Sequence, residues 1–174
     1  MILVLDNLRS AYNVGALFRS ADGAGVTHVY LVGITPTPAR PDRLYQTLAE
    51  KTLAKTALGA EAVLPWTAVK SLPRLITQLR KNSYEIIALE EGKGVKSIDY
   101  RLWQSKQSKP PALIVGNEVD GMDRKTLALA DTIIHLPMRG VKNSLNVSVA
   151  GSIALYHLSA TMEKPLKTKR NALK

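Results

Sequence analysis

The sequence predicts an α/β fold, a mostly parallel sheet with helices on both faces. Short, almost unbroken apolar runs recur at residues 2–5, 28–33, 84–89, 112–116 and 132–136. Segments whose apolar residues fall at helical spacing alternate with them. Parallel strands covered on both faces read as continuous apolar runs, whereas half-exposed antiparallel strands alternate apolar and polar. With 174 residues, no internal repeat and no composition break, the chain reads as one domain over residues 1–163 and a short basic tail over 164–174.

The elements follow in order. Residues 2–5 (ILVL) form the first strand, and residues 13–24 a helix with Val14, Leu17, Phe18 and Ala21 on one side, stopped by Gly25. A second strand at 28–33 (HVYLVG) runs into a Pro-rich loop at 35–41 and a weakly helical stretch at 44–58. A strand is expected at 63–66, then an amphipathic helix at 69–81 that buries Leu72, Leu75, Ile76 and Leu79 and exposes Arg74, Arg80 and Lys81. After the strand at 84–89 (YEIIAL) come a polar segment, then a loop or short helix around Trp103. Strands at 112–116 (ALIVG) and 132–136 (TIIHL) flank a helix at 124–130. The last and clearest helix, 144–163, repeats Leu145, Val149, Ile153, Tyr156 and Ala160, with Ser144 as its expected N-cap.

Composition bounds the function. Lys and Arg number 24 against 14 acids, a net charge of +10, which suits a polyanionic partner. The tail contributes Lys164, Lys167, Lys169, Arg170 and Lys174, yet the body stays basic without it. Aromatic residues are only 5% of the chain, which argues against base stacking on an open sheet. With no cysteine, disulfides and Cys-based metal centres are excluded, and no His pair has ligand spacing, so no metal is predicted. The longest apolar runs are about six residues, far below the roughly 20 that span a bilayer. No basic leader precedes the first strand. A cytoplasmic protein without membrane attachment is expected.

Familiar phosphate loops fail. Gly116 and Gly121 have Walker spacing, but Met122 and Asp123 stand where Lys and Ser or Thr belong. Gly23 and Gly25 follow a helix, so they are not a dinucleotide fingerprint. His28, His135 and His157 are widely separated and read as structural.

Three segments carry chemistry. The first places Asn13 and Gly15 at a helix start, with Arg19 about one and a half turns on. The second is the strand running into Gly116-Asn-Glu118-Val-Asp-Gly121, at the end of a parallel strand where α/β sheets bind ligands. The third runs from Leu136-Pro-Met138 through Gly140 into Ser144-Leu-Asn146-Val-Ser148, with more polar side chains than one helix cap requires.

In this order and spacing, the three segments resemble the motifs of the SpoU-type RNA 2′-O-ribose methyltransferases of the SPOUT superfamily, over nearly the whole chain. The resemblance implies a C-terminal trefoil knot, S-adenosylmethionine as cofactor, a homodimer, and methyl transfer to a ribose 2′-hydroxyl in RNA, tRNA first and rRNA next. It implies a cofactor cradle of Leu89, Gly116, Leu136, Met138 and Leu145. It assigns catalysis to Arg19 as general base, with Asn13, Glu118, Ser144 and Asn146 orienting the reacting groups. An arginine pKa above about 12 favours a different role for Arg19, cationic stabilisation of the emerging alkoxide. RNA phosphates are assigned to Arg40, Arg43, Arg139, Lys142, Lys164, Lys167, Lys169 and Arg170. The first and last helices are the expected dimer contact, through Tyr12, Val14, Phe18 and Tyr156. Two rivals are a non-catalytic RNA-binding protein of the same fold and a knotted methyltransferase acting on a base nitrogen.

Overall fold

The structure, a computed structural model, describes residues 1–40, 42–91, 94–105 and 109–162. Seven strands form one sheet: β1 (Ile2–Asp6), β2 (His28–Val32), β3 (Trp66–Val69), β4 (Glu85–Leu89), β5 (Ile98–Asp99), β6 (Pro111–Val115) and β7 (Thr132–His135). Their order is β3-β2-β1-β6-β4-β7-β5, and every neighbouring pair is parallel. Among the described residues six α-helices surround it: α1 (Ala11–Gly23), α2 (Leu48–Ala57), α3 (Ala60–Val63), α4 (Leu72–Lys81), α5 (Arg124–Leu127) and α6 (Val147–Met162). The α/β class and the parallel sheet thus match the sequence expectation.

Alternation along the strands divides the core into two layers. Leu3, Leu5, Val29, Leu31, Leu113 and Val115 point to the face covered by α1, α2, α3 and α6. Ile2, Val4, Val32, Ile86, Ala112 and Ile114 point to the other face, against Leu72, Leu75, Ile76 and Leu79 of α4 and Leu127 of α5. Both faces are buried, so the strands need apolar residues at every position.

Several boundaries differ from the sequence reading. The strand expected at 63–66 is Trp66–Val69, because Val63 closes the short helix α3. Val69 therefore belongs to β3, and α4 starts at Leu72. Around Trp103 the chain forms the two-residue strand β5 and a 3₁₀ turn at Tyr100–Leu102. The first helix begins two residues early, because Ser10 caps it by accepting the Asn13 N–H. Asn13 thus lies inside the first turn. Gly25, at φ +70°, follows the helix in a left-handed turn that favours glycine. The weakly helical stretch resolves into α2, closed at its start by a capping box of Thr47 and Glu50.

Gly15 owes its place to packing. A Cβ there would lie 2.3 Å from the Leu53 carbonyl and 2.0 Å from Thr56 Oγ1, so α1 and α2 approach closely only with glycine. Gly151 lets α6 approach α1, where a Cβ would meet the end of the Leu17 side chain at 2.7 Å. These contacts fix α1 between α2 and α6, with its first turn beside the carboxyl end of the sheet.

Candidate active site

β4, β6 and β7 lie side by side and end at the same edge of the sheet. The loops that leave them enclose a cavity of about 330 Å³, a size that suits a small-molecule ligand. Leu89 and Glu90 line it from β4, Val115 to Gly121 from β6, and His135, Leu136, Met138 and residues 143–145 from β7 onward.

The turn after β6 is held at both ends. Asn117 Oδ1 accepts the N–H groups of Val119 and Asp120 at 2.8 and 3.2 Å, and its Nδ2 donates to the Asn7 carbonyl at 2.7 Å. At the far end, the Met122 N–H donates to Glu90 Oε2 at 2.7 Å. Gly121 has φ +64°, and a Cβ there would sit 2.5 Å from that carboxylate. A Cβ on Gly116 would meet Met122 Cγ at 2.6 Å, so both glycines are set by the closure of the turn itself.

Glu118 joins this turn to the start of α1. Its Oε2 accepts the Arg9 N–H at 2.9 Å; its Oε1 accepts the Ser10 N–H at 3.1 Å and Asn13 Nδ2 at 3.0 Å. Burial pushes this carboxyl up, but the donors from Arg9, Asn13 and Ser10 outweigh it and hold it below the usual range. Asn13 Oδ1 in turn accepts Asn146 Nδ2 at 3.2 Å. Asn146 Oδ1 accepts the Ser148 N–H at 2.8 Å, the Ser148 hydroxyl at 2.6 Å and the Val149 N–H at 3.4 Å. Asn146, not Ser144, therefore caps α6, which starts at Val147. Ser144 is left exposed on the cavity wall, while the Ser148 hydroxyl is spent on Asn146.

All five residues of the expected cradle, Leu89, Gly116, Leu136, Met138 and Leu145, line this cavity, as do Glu118 and Ser144. Asn13 and Asn146 stand behind Glu118 in the chain of hydrogen bonds. Arg19 is elsewhere. It is exposed on α1 and lines a separate depression with Asp22, Leu58 and Gly59. Glu90, Asn117 and His135 line the cavity without having been anticipated; only the polar run after residue 89 hinted at Glu90. The His135 ring nitrogen Nδ1 pairs with Ser97 Oγ at 2.9 Å.

Of the residues expected to meet RNA, Arg40, Arg139 and Lys142 are exposed, and Arg43 is ion-paired with Glu50 at 3.5 Å. Lys164, Lys167, Lys169 and Arg170 lie outside the described residues. Val14 and Phe18, expected at a dimer contact, are fully buried because α1 turns them into the core. Among the apolar residues that these two helices leave on the outside are Tyr12 of α1, 56% exposed, and Val149, Ile153 and Tyr156 of α6, at 47%, 37% and 54%.

Comparison with known proteins agrees with this architecture. The family model for the SpoU rRNA Methylase family matches residues 1–156. The chain belongs to that family. It is 37% identical over 155 residues to the 23S rRNA (guanosine-2′-O-)-methyltransferase RlmB of Pectobacterium atrosepticum, covering 89% of this chain and 57% of that protein. A putative TrmH family tRNA/rRNA methyltransferase of Staphylococcus saprophyticus is 34% identical over 157 residues, covering 90% and 57%. The chain thus spans less than two thirds of the length of these relatives. Among solved structures, the AdoMet-bound rRNA methyltransferase of Sinorhizobium meliloti superposes with TM-score 0.79 at 25% identity, over 94% of this chain and 57% of that one. The TrmH/SpoU tRNA modifying enzyme of A. aeolicus superposes with TM-score 0.74 at 26% identity, over 92% and 74%.

Proposed function

We propose that this chain transfers the methyl group of S-adenosylmethionine to a ribose 2′-hydroxyl of RNA, with ribosomal RNA as substrate. The carrying observation is the hydrogen-bond chain Glu118–Asn13–Asn146, which ties all three motif segments to one cavity. The substrate order expected from sequence reverses: matching relatives are named for 23S rRNA guanosine methylation, which supports rRNA over tRNA.

The cavity fits the cofactor. Leu89, Leu136, Met138 and Leu145 offer apolar walls for an adenine ring. The close-packed turn from Gly116 to Met122 leaves backbone within reach of a ligand. Four carboxylates, Glu90, Glu91, Glu118 and Asp120, line the cavity and suit a cation. When bound, the cofactor supplies a methyl group on a positively charged sulfur.

The chain's own residues do the rest. Glu118, ionised at neutral pH, fixes the start of α1 and the amide of Asn13. Ser144, on the wall and exposed, is positioned to hydrogen-bond the ribose. The 2′-hydroxyl is a weak nucleophile, so a guanidinium beside it lowers the barrier by stabilising the oxyanion that forms. Because Arg19 lies on the outer face of α1, we assign that guanidinium to Arg19 of a second copy in a homodimer. Tyr12 and Arg19 are seven residues apart, hence on one face of α1, and Val149, Ile153 and Tyr156 continue an apolar stripe on α6. A dimer through that face covers the stripe and carries Arg19 toward the other copy's cavity.

A C-terminal trefoil knot belongs to the same proposal, as does a cytoplasmic location. Among the described residues no helix is long and apolar enough to cross a membrane.

The test is to incubate the protein and methyl-labelled S-adenosylmethionine with rRNA from cells lacking the gene, then map the label. Label on a ribose 2′-oxygen is expected. Label on a base nitrogen, or RNA binding without transfer, contradicts the proposal.

A further inference from the structure

We infer that Arg9 grips a phosphate of the substrate RNA at the mouth of the cavity; this rests on the methyltransferase reading above. The cavity itself cannot hold the RNA backbone. Four carboxylates line it and, among the described residues, no Lys or Arg does, although the chain carries a net charge of +10. A polyanion presenting its ribose there needs a cation just outside, where its phosphates remain.

The main chain of Arg9 borders that place. Its backbone N–H is bonded to Glu118 Oε2 at 2.9 Å, so its main chain touches a residue of the cavity wall. The turn that carries it is anchored by its neighbours. Leu8 is fully buried and its N–H donates to Thr35 Oγ1 at 3.1 Å, while the Asn7 carbonyl accepts Asn117 Nδ2 at 2.7 Å. The Arg9 side chain is nonetheless exposed. Among the described residues, Arg43, Arg80 and Arg101 are engaged by carboxylates, but the Arg9 guanidinium has no such partner. Glu118, whose carboxylate meets the Arg9 main chain, already accepts three N–H groups. A rigidly based, unpaired guanidinium beside an acidic cavity matches the planar fork that binds phosphate through two hydrogen bonds.

The test compares wild type with Arg9→Ala and Arg9→Lys, using an unmodified 23S rRNA transcript and isothermal titration with S-adenosylmethionine. Arg9→Ala is expected to raise KM for the RNA roughly ten-fold, with kcat changed less than about two-fold. The slope of log affinity against log salt should shrink by about 0.7–0.9, one phosphate contact. Arg9→Lys should restore the salt slope, since it keeps the charge, and recover only part of KM. Cofactor affinity should match wild type in both variants. An unaltered KM and salt slope in Arg9→Ala, with wild type still transferring methyl groups, overturns the role of Arg9 alone. So does a loss of cofactor affinity, which would direct the guanidinium to the cofactor's own carboxylate. A wild-type protein that transfers no methyl group overturns the parent reading and this inference with it.

Discussion

Asn146 Nδ2 lies 3.2 Å from Asn13 Oδ1, joining the cap of the last helix to the first turn of the first helix across 133 positions. Asn13 spends its other end on Glu118, so a single amide serves as donor to one motif segment and acceptor to another. No other common side chain offers both functions at that length and without charge.

Asn13→Asp removes the donor and sets a carboxylate against Glu118. The expected result is a fall in kcat of about ten- to a hundred-fold, with loss of stability of about 1–3 kcal/mol. Steady-state kinetics with thermal unfolding checks both. A variant as active and stable as wild type would show that the amide link has no function.

Glu118→Gln fails for a related reason. Both carboxylate oxygens accept N–H groups, so a glutamine must turn its own NH₂ toward a donor. We expect weaker cofactor binding by titration and protease sensitivity near residues 7–10. Wild-type behaviour in both would contradict the geometry.

Gly15→Ala tests the packing of α1 on α2. The added Cβ collides with a backbone carbonyl, which cannot swing aside, so destabilisation of about 3 kcal/mol is expected. Chemical denaturation measures it; a change below about 1 kcal/mol would mean that the helices can separate without cost.

Two carboxyls should give stability opposite pH dependence. Glu118 is held below its ordinary 4.5, so its stabilisation is complete above that pH and is lost as pH falls through its lowered value. Asp6 is pushed up, by burial first and then by the charge of Asp123, so its ionisation costs stability as pH rises from its ordinary 3.8. Asp6→Asn should therefore raise Tm at neutral pH, by a margin that shrinks toward pH 3.8. A margin independent of pH would exclude this origin.

Strands and helices were legible because both faces of the sheet are covered, which forces apolar runs such as residues 84–89 and 112–116. Ser144 was a plausible cap on chemistry alone. It lost to Asn146 because only the residue next to the helix can turn its side chain onto the Ser148 and Val149 N–H groups. Short β5 carries too few residues to show a period. The second and third motif segments line the cavity and the first only backs it through Asn13, while Glu90 and Asn117 act through backbone groups of a turn whose closure spacing cannot reveal. The position of Arg19 was hidden for a different reason. Six residues of helix carry it about 9 Å along the axis from Asn13, and whether that distance leads toward or away from the cavity depends on how α1 is packed.

The claim that most of the mechanism hangs on is that each working cavity borrows Arg19 from another copy of the chain. Mixed dimers of Arg19→Ala and Leu145→Arg subunits, purified through two different tags, test it. Leu145 lines the cavity, so an arginine there blocks the cofactor in its own subunit. Each variant alone should be inactive. The mixed dimer should regain about half of wild-type activity, because one of its two symmetric sites combines an intact cavity with an intact Arg19. Mixed dimers as inactive as the parents would contradict the shared site and return Arg19 to its own subunit or to no catalytic part at all.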